Sequence, residues 1–373
     1  GLLVTSCNAD ASLGLFRQIS LSTAPVGIRY KQILGINGND LYFTTNEGIV
    51  KHDKISGYNS TVLGNAKENI VQSAHYDSIT NKLAYMTNDD THFVYELDIT
   101  ASTTANVTPD DNTTASFNKN TNIGPKLYPN GMVMVEGTVS GIKQFSLVKY
   151  ADDTLIATFP DLDGYSLESV IQMSGYDTEA VTTKPIIVGF VNQNKKYKYY
   201  YVDPTITELA NTTSVTNLEL EDLRLANFYK ASNGALVLLT TDGRLLYGAN
   251  ESAASFTSLA KVAKTYHVNS FAYGVEDGTN VHLITKSTSK NDPVYVFTFP
   301  LASPTTATGK SIRSGYADHL DATDIVSTYE TAANSLLVAT AENGMFSITI
   351  VPANANEDSA TNGTSSLAEQ YTY

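Results

Sequence analysis

Hydrophobic and polar positions along this chain alternate in short bursts, with little helical spacing. The clearest unit is an apolar, β-rich run, a brief polar turn ending in glycine, and a second β-rich run. It reads Asp40-Leu41-Tyr42-Phe43-Thr44-Thr45-Asn46-Glu47-Gly48-Ile49-Val50 near the start of the chain. Later copies are Ala235-Leu236-Val237-Leu238-Leu239-Thr240-Thr241-Asp242-Gly243-Arg244-Leu245-Leu246-Tyr247 and Ser335-Leu336-Leu337-Val338-Ala339-Thr340-Ala341-Glu342-Asn343-Gly344-Met345-Phe346-Ser347-Ile348. Taking the first large apolar residue of each copy as a marker gives Leu41, Leu83, Met132, Ile186, Leu236, Val281 and Leu336. The intervals between them are 42, 49, 54, 50, 45 and 55 residues. Another β-rich run precedes each marker, as in Tyr30-Lys31-Gln32-Ile33-Leu34-Gly35-Ile36, and further runs follow, as in Val294-Tyr295-Val296-Phe297-Thr298-Phe299. Apolar residues occur on both faces of these runs, so the strands expect cover on both sides. Helical spacing is confined to 217–228, which reads as a turn or short helix leading into a strand.

A repeat of this length built only from strands predicts an all-β chain, a β-propeller of seven blades with four antiparallel strands each. A divergent copy hidden in a long interval would change the count to six or eight. The array occupies 15–353. Residues 1–14 read as the end of a signal and a tether, and 354–373 as a C-terminal tail that contains one option for a closing strand. The ring needs its last blade completed, and the apolar runs at 15–21 and 367–373 are the two candidates.

Composition narrows the function. The chain of 373 residues has 23 Tyr, 13 Phe and no Trp, only 17% charged residues and a net charge of -14. Nucleic-acid binding needs clustered Lys and Arg to neutralise phosphates, and this balance argues against it. It argues equally against adsorption to anionic lipid through a basic patch. No apolar run is long enough to span a bilayer. The single cysteine, Cys7, leaves no partner for an intrachain disulfide and no Cys-rich zinc site. Its surroundings, Gly1-Leu2-Leu3-Val4-Thr5-Ser6-Cys7-Asn8, resemble the end of a bacterial lipoprotein signal peptide. In that pattern an aliphatic residue and two small residues lead to the cysteine that becomes diacylated, and Val4-Thr5-Ser6-Cys7 fits position by position. The reading expects the basic n-region and the rest of the hydrophobic segment upstream of Gly1. The alternative for 2–7 is a buried edge strand.

Motif searches give little chemistry. Histidines at 52, 75, 92, 267, 282 and 319 show no zinc-ligand spacing. The turn Asn88-Asp89-Asp90-Thr91-His92 has oxygen ligands that suit a hard cation, yet Asn and Asp are also the preferred residues of hairpin turns. There is no nucleophile elbow, no phosphate loop, and no Trp for the boxes of sialidase-like, quinone-dependent or WD40 propellers. The expectation is therefore no catalytic residue, no metal and no cofactor. The run Lys195-Lys196-Tyr197-Lys198-Tyr199-Tyr200-Tyr201 reads as an outer blade strand, with an aromatic binding stripe as the competing view.

The chain resembles, in architecture, the propeller lipoproteins of bacterial envelopes. That resemblance implies an extracytoplasmic, membrane-anchored module that binds or scaffolds another protein, with membrane contact only through the lipid anchor, and a monomeric domain. The turns holding Asn46 and Glu47, Asn88, Asp89 and Asp90, Asp242, and Glu342 and Asn343 are expected to share one face. Their acidic, Asn-rich character suits a basic partner. The alternative function is a carbohydrate-active hydrolase or lyase, or a small-ligand or ion sensor, using the central funnel.

Overall fold

The computed structural model describes residues 29–64, 73–87, 94–108, 127–128, 131–139, 142–150, 155–160, 162–173, 185–203, 215–218, 220, 222–289, 292, 294–312, 325–340, 345–350 and 367–371. Among them there is no α-helix, and the strands form seven four-stranded antiparallel sheets. Blade 1 is β1 (Tyr30–Asn37), β2 (Asp40–Thr45), β3 (Gly48–Asp53) and β4 (Asn59–Gly64). Blade 2 is β5 (Ser73–Asp77), β6 (Lys82–Met86), β7 (Val94–Asp98) and β8 (Thr103–Asn106). Blade 3 is β9 (Leu127–Tyr128), β10 (Met132–Val139), β11 (Ile142–Lys149) and β12 (Leu155–Phe159). Blade 4 is β13 (Tyr165–Gln172), β14 (Ile186–Asn192), β15 (Tyr197–Val202) and β16 (Val215–Leu218). Blade 5 is β17 (Leu225–Lys230), β18 (Leu236–Thr240), β19 (Arg244–Gly248) and β20 (Thr257–Lys261). Blade 6 is β21 (Ala272–Glu276), β22 (Asn280–Thr285), β23 (Val294–Pro300) and β24 (Thr308–Ile312). Blade 7 is β25 (Ile325–Ala332), β26 (Ser335–Thr340), β27 (Met345–Ile350) and β28 (Leu367–Tyr371).

Every blade is laid down in chain order, and first strands touch the first strands of neighbouring blades, so these strands line the axis. The seven sequence markers all fall on second strands and are all buried. Their burial has a simple cause. Both faces of a second strand pack on other blades, so β18 reads Leu-Val-Leu-Leu-Thr with every residue buried. Each such Leu or Val contributes about 1.5–3 kcal/mol of transfer free energy.

Apolar layers fill the gaps between blades all the way around. Tyr42, Ile49, Tyr76 and Leu83 join blades 1 and 2, and Met86, Val94, Val133 and Val148 join blades 2 and 3. Phe145, Phe159, Phe190 and Tyr200 join blades 3 and 4. One large cluster runs from Ile187 and Tyr199 through Phe228 and Leu238 to Val281 and Phe297, joining blades 4, 5 and 6. Tyr273, Ile284, Leu336 and Val338 join blades 6 and 7. The ring closes where Ile33, Leu41 and Phe43 of blade 1 meet Leu337 and Ala339 of blade 7. At that seam Ile33 N donates to Ser327 Oγ at 3.0 Å.

Three details differ from, or choose among, the expectations from sequence. Blade 7 takes its fourth strand from its own C-terminal end, as β28 pairs with β27 from Phe346↔Tyr371 to Ile350↔Leu367. The run at 15–21 lies outside the described residues. Among its described residues the segment 217–228 holds no helix: it contains the end of β16 and the start of β17. Its apparent helical spacing comes from Leu218, Leu220 and Leu225, which all drop into the core shared by blades 4, 5 and 6. The Tyr-rich run is β15, a third strand paired on both sides by β14 and β16, and Tyr199, Tyr200 and Tyr201 are buried. It is thus neither an outer strand nor an exposed aromatic stripe.

Candidate docking face

Antiparallel order sorts the turns onto two faces. The linker face carries the turns between second and third strands and the links between blades. The hairpin face carries the turns from first to second strand and from third to fourth.

Asn46, Glu47 and Asp242 lie on the linker face, and each is hydrogen-bonded within the chain. Asn46 Oδ1 accepts Arg29 N–H at 2.8 Å, and Glu47 N–H donates to Thr45 Oγ1 at 3.0 Å. Asp242 accepts the Thr240 hydroxyl at 2.6 Å and pairs with Arg244 at 2.9 Å and Lys261 at 3.8 Å. The acid of this turn is therefore neutralised within the chain. Cys7, Asn88, Asp89, Asp90, Glu342 and Asn343 lie outside the described residues. Beside Asp242, further ion pairs lace the same face: Lys196 with Asp222, Arg224 with Glu168, and Lys264 with Asp292.

The hairpin face is built differently. Near the axis, inner strands are latched to one another by tyrosine hydroxyls. Tyr229 of β17 donates to Glu276 Oε1 of β21 at 2.7 Å, and that carboxylate also accepts Ser232 N–H at 2.8 Å and the Ser232 hydroxyl. One blade further on, Tyr273 donates to Glu330 Oε1 at 2.8 Å and accepts Asn334 N–H at 3.2 Å. Burial pushes the Tyr273 hydroxyl up to about 12, so it remains a donor across the neutral range. Glu276 and Glu330 sit at matching positions, each opposite the marker of its second strand, Val281 and Leu336. Their carboxylates are engaged in latching blades, which is a structural use. Among the described residues no three His, Cys, Asp or Glu side chains come together as a metal site.

Backbone staples tie the two kinds of hairpin turn together in blade after blade. Lys54 N donates to Asn39 O at 2.9 Å in blade 1, Ile99 N to Asn81 O at 3.2 Å in blade 2, Tyr150 N to Gly131 O at 3.0 Å in blade 3, and Leu301 N to Thr279 O at 2.9 Å in blade 6. Asn81, in the left-handed region at φ 56°, is the hub between blades 1 and 2. Its Oδ1 accepts from Tyr76 Oη at 2.9 Å and from Asn37 Nδ2 at 3.5 Å, and its Nδ2 donates to Thr100 Oγ1 at 2.9 Å.

On these stapled turns stand three of the four large apolar side chains that are exposed among the described residues. Ile55 and Tyr58, in the third-to-fourth turn of blade 1, are 80% and 77% exposed, and Ile79, in the first turn of blade 2, is 92% exposed. The fourth, Val326, lies at the start of β25 toward the linker face. Sequence reasoning passed over these residues. Their signal was a pair of near-identical turn segments, Asp53-Lys54-Ile55-Ser56 and Asp77-Ser78-Ile79-Thr80, with an aliphatic residue where turns prefer Gly, Asn or Ser.

No protein-family model matches the chain, and no curated protein sequence matches it. Solved structures similar to it include PorZ, an essential bacterial surface component of the type-IX secretion system of Porphyromonas gingivalis. PorZ is 13% identical with a TM-score of 0.47, over 93% of this chain; the chain spans only 38% of that protein's length. The Dos1 propeller is 11% identical with a TM-score of 0.47, over 86% of this chain and 81% of its own. YCF48 with a bound peptide is 8% identical with a TM-score of 0.47, over 86% of this chain and 93% of its own. Likeness at this level carries nothing about binding or activity. The strand order and the closed series of apolar layers identify the chain as a seven-bladed β-propeller.

Proposed function

We propose that this chain is a protein-binding or scaffold propeller of the bacterial cell envelope, extracytoplasmic, monomeric as a ring, and anchored through a lipidated Cys7. The observation that supports binding most strongly is the hairpin face of blades 1 and 2. There, apolar side chains stand in solvent on turns that are already hydrogen-bonded to one another. A surface ordered in advance loses little conformational entropy when a partner docks. Singly scattered apolar residues would call for no explanation; three on the hydrogen-bonded turns of two neighbouring blades do. The turns holding Asn46, Glu47, Asn88, Asp89, Asp90, Asp242, Glu342 and Asn343 belong to the same proposal as a secondary contact surface. The anchor rests on the Val4-Thr5-Ser6-Cys7 box alone.

The test is crosslinking in the native envelope with the full-length protein and its signal intact, beside Cys7→Ala. The expected result is one defined protein partner, and release of Cys7→Ala from the membrane fraction. Unchanged membrane attachment of Cys7→Ala removes the anchor from the reading. Absence of any crosslinked protein removes the binding role.

A further inference from the structure

From the strand lengths of blade 3 we infer that an extended segment of a partner protein docks beside β10 and takes the place of a full first strand. This rests on the protein-binding reading and gives it a place near the axis and a mode, strand addition.

Six blades fill their innermost position with a first strand of five to eight residues. In blade 3 that position holds β9, two residues long, which pairs only Met132↔Tyr128 and Val133↔Leu127. β10 runs on to Val139, and among the described residues no strand lies on that side of it beyond Val133. On its other side it pairs with β11 at every rung, from Met132↔Lys149 to Val139↔Ile142. In an antiparallel ladder a residue turns its N–H and C=O to one side, and successive residues alternate. Half of the backbone groups from Met134 to Val139 are thus bound to β11, and the other half face the axis. Such an edge is a template for one more strand.

The chain's own continuation suits the place poorly. Carried past Leu127, the register of β9 sets Lys126 opposite Met134 and Pro125 opposite Val135. Proline has no N–H to give a ladder, and Gly124 before it has no side chain to pack.

Reach and shape select an extended segment. The counterparts of β10 in blades 1, 5, 6 and 7 end at Thr45, Thr240, Thr285 and Thr340, four residues past their markers. β10 passes that level at Glu136, so its last three residues carry the open edge about 10 Å further toward the linker face. The place is one strand wide, because β10 packs through Val135 on blade 2 and through Met134 on blade 4. Its blade 4 side is apolar: Tyr165 and Leu167, both half-buried, lie against the layer that holds Met134. Leu167 pairs with Phe190, four residues past the blade 4 marker, and so stands level with Glu136. The segment that fits carries β-branched or aromatic residues at alternate positions and no proline among those that pair.

The test pans a random short-peptide display library on the immobilised full-length chain, then scans one recovered peptide with N-methyl groups, residue by residue. Expected is a loss of about tenfold or more at every second residue and little change between them, as pairing along one edge requires. Residue-resolved amide exchange between Met134 and Val139 should slow at alternate positions when that peptide binds. Protection elsewhere on the ring, or an N-methyl scan without alternation, overturns the strand site and leaves the protein-binding role standing. Slow exchange at successive β10 amides in the peptide-free chain also overturns it. The place is then held by the chain's own residues, or by a second copy if sedimentation shows a dimer. Recovery of no peptide above a blank surface overturns it as well.

Discussion

At Gly274 the inner strand of blade 6 carries no side chain because the Tyr229 ring of blade 5 lies where a Cβ would project. The ring can reach Glu276 only by crossing that strand. Gly274→Ala should therefore lower stability by about 1–3 kcal/mol through overpacking, read as a shift of the denaturant midpoint at unchanged slope. A second prediction concerns acid. His282 is fully buried, with Nε2 2.9 Å from Asp277 Oδ2 and Nδ1 3.0 Å from Thr298 Oγ1. A carboxylate can only accept, so the ring donates from Nε2. Burial opposes ionisation of Asp277, but hydrogen bonds from Asn280, His282 and Thr279 outweigh it and hold the carboxyl well below its usual range. A depressed folded value means the stabilisation is present above the unfolded value, about 3.9, and fades as pH falls below it. The wild type should lose stability through that acid limb, and Asp277→Asn should be less stable at neutral pH with a flatter limb in pH-dependent unfolding.

Second strands carry the energy of each blade, and outer strands carry little. Leu238→Ala in β18 should cost about 2–5 kcal/mol, whereas Ser258→Ala in β20, exposed on the outer strand, should stay within about 0.5 kcal/mol, both by denaturant unfolding. The hub residue separates packing from surface order. Asn81→Gly keeps the left-handed backbone and removes the hydrogen bonds to Tyr76, Asn37 and Thr100. Faster amide exchange at Ile99 and Lys54, with a small change in global stability, is the expected result. At this scale the sequence was highly legible: Leu41, Leu83, Met132, Ile186, Leu236, Val281 and Leu336 mark second strands because two-sided burial demands unbroken apolar runs. The end of β16 was not legible. Leu218, Leu220 and Leu225 serve one core from a strand, a link and another strand, and such spacing imitates a helix face.

Seen as a whole molecule, the ring was readable from its period, while the exposed apolar turns of blades 1 and 2 were not. Turn composition points to Asn and Asp on both faces alike. Which carboxylates form ion pairs depends on where the cations fall: Lys261 and Arg244 reach Asp242, whereas Lys51 and Lys82, whose charges act on Asp53 and Asp77, make their pairs with Asp40 and Glu96. Closure by β28 and by the Ile33–Ser327 seam has its own bearing on orientation. First strands start on the linker face and fourth strands end there, so the chain enters the disc at Tyr30 and completes β28 on one side. An anchor at Cys7, as proposed above, would therefore join the disc on its linker face. Under that proposal Ile55, Tyr58 and Ile79, on the opposite face, would be turned away from the bilayer and toward whatever approaches through the surrounding solvent.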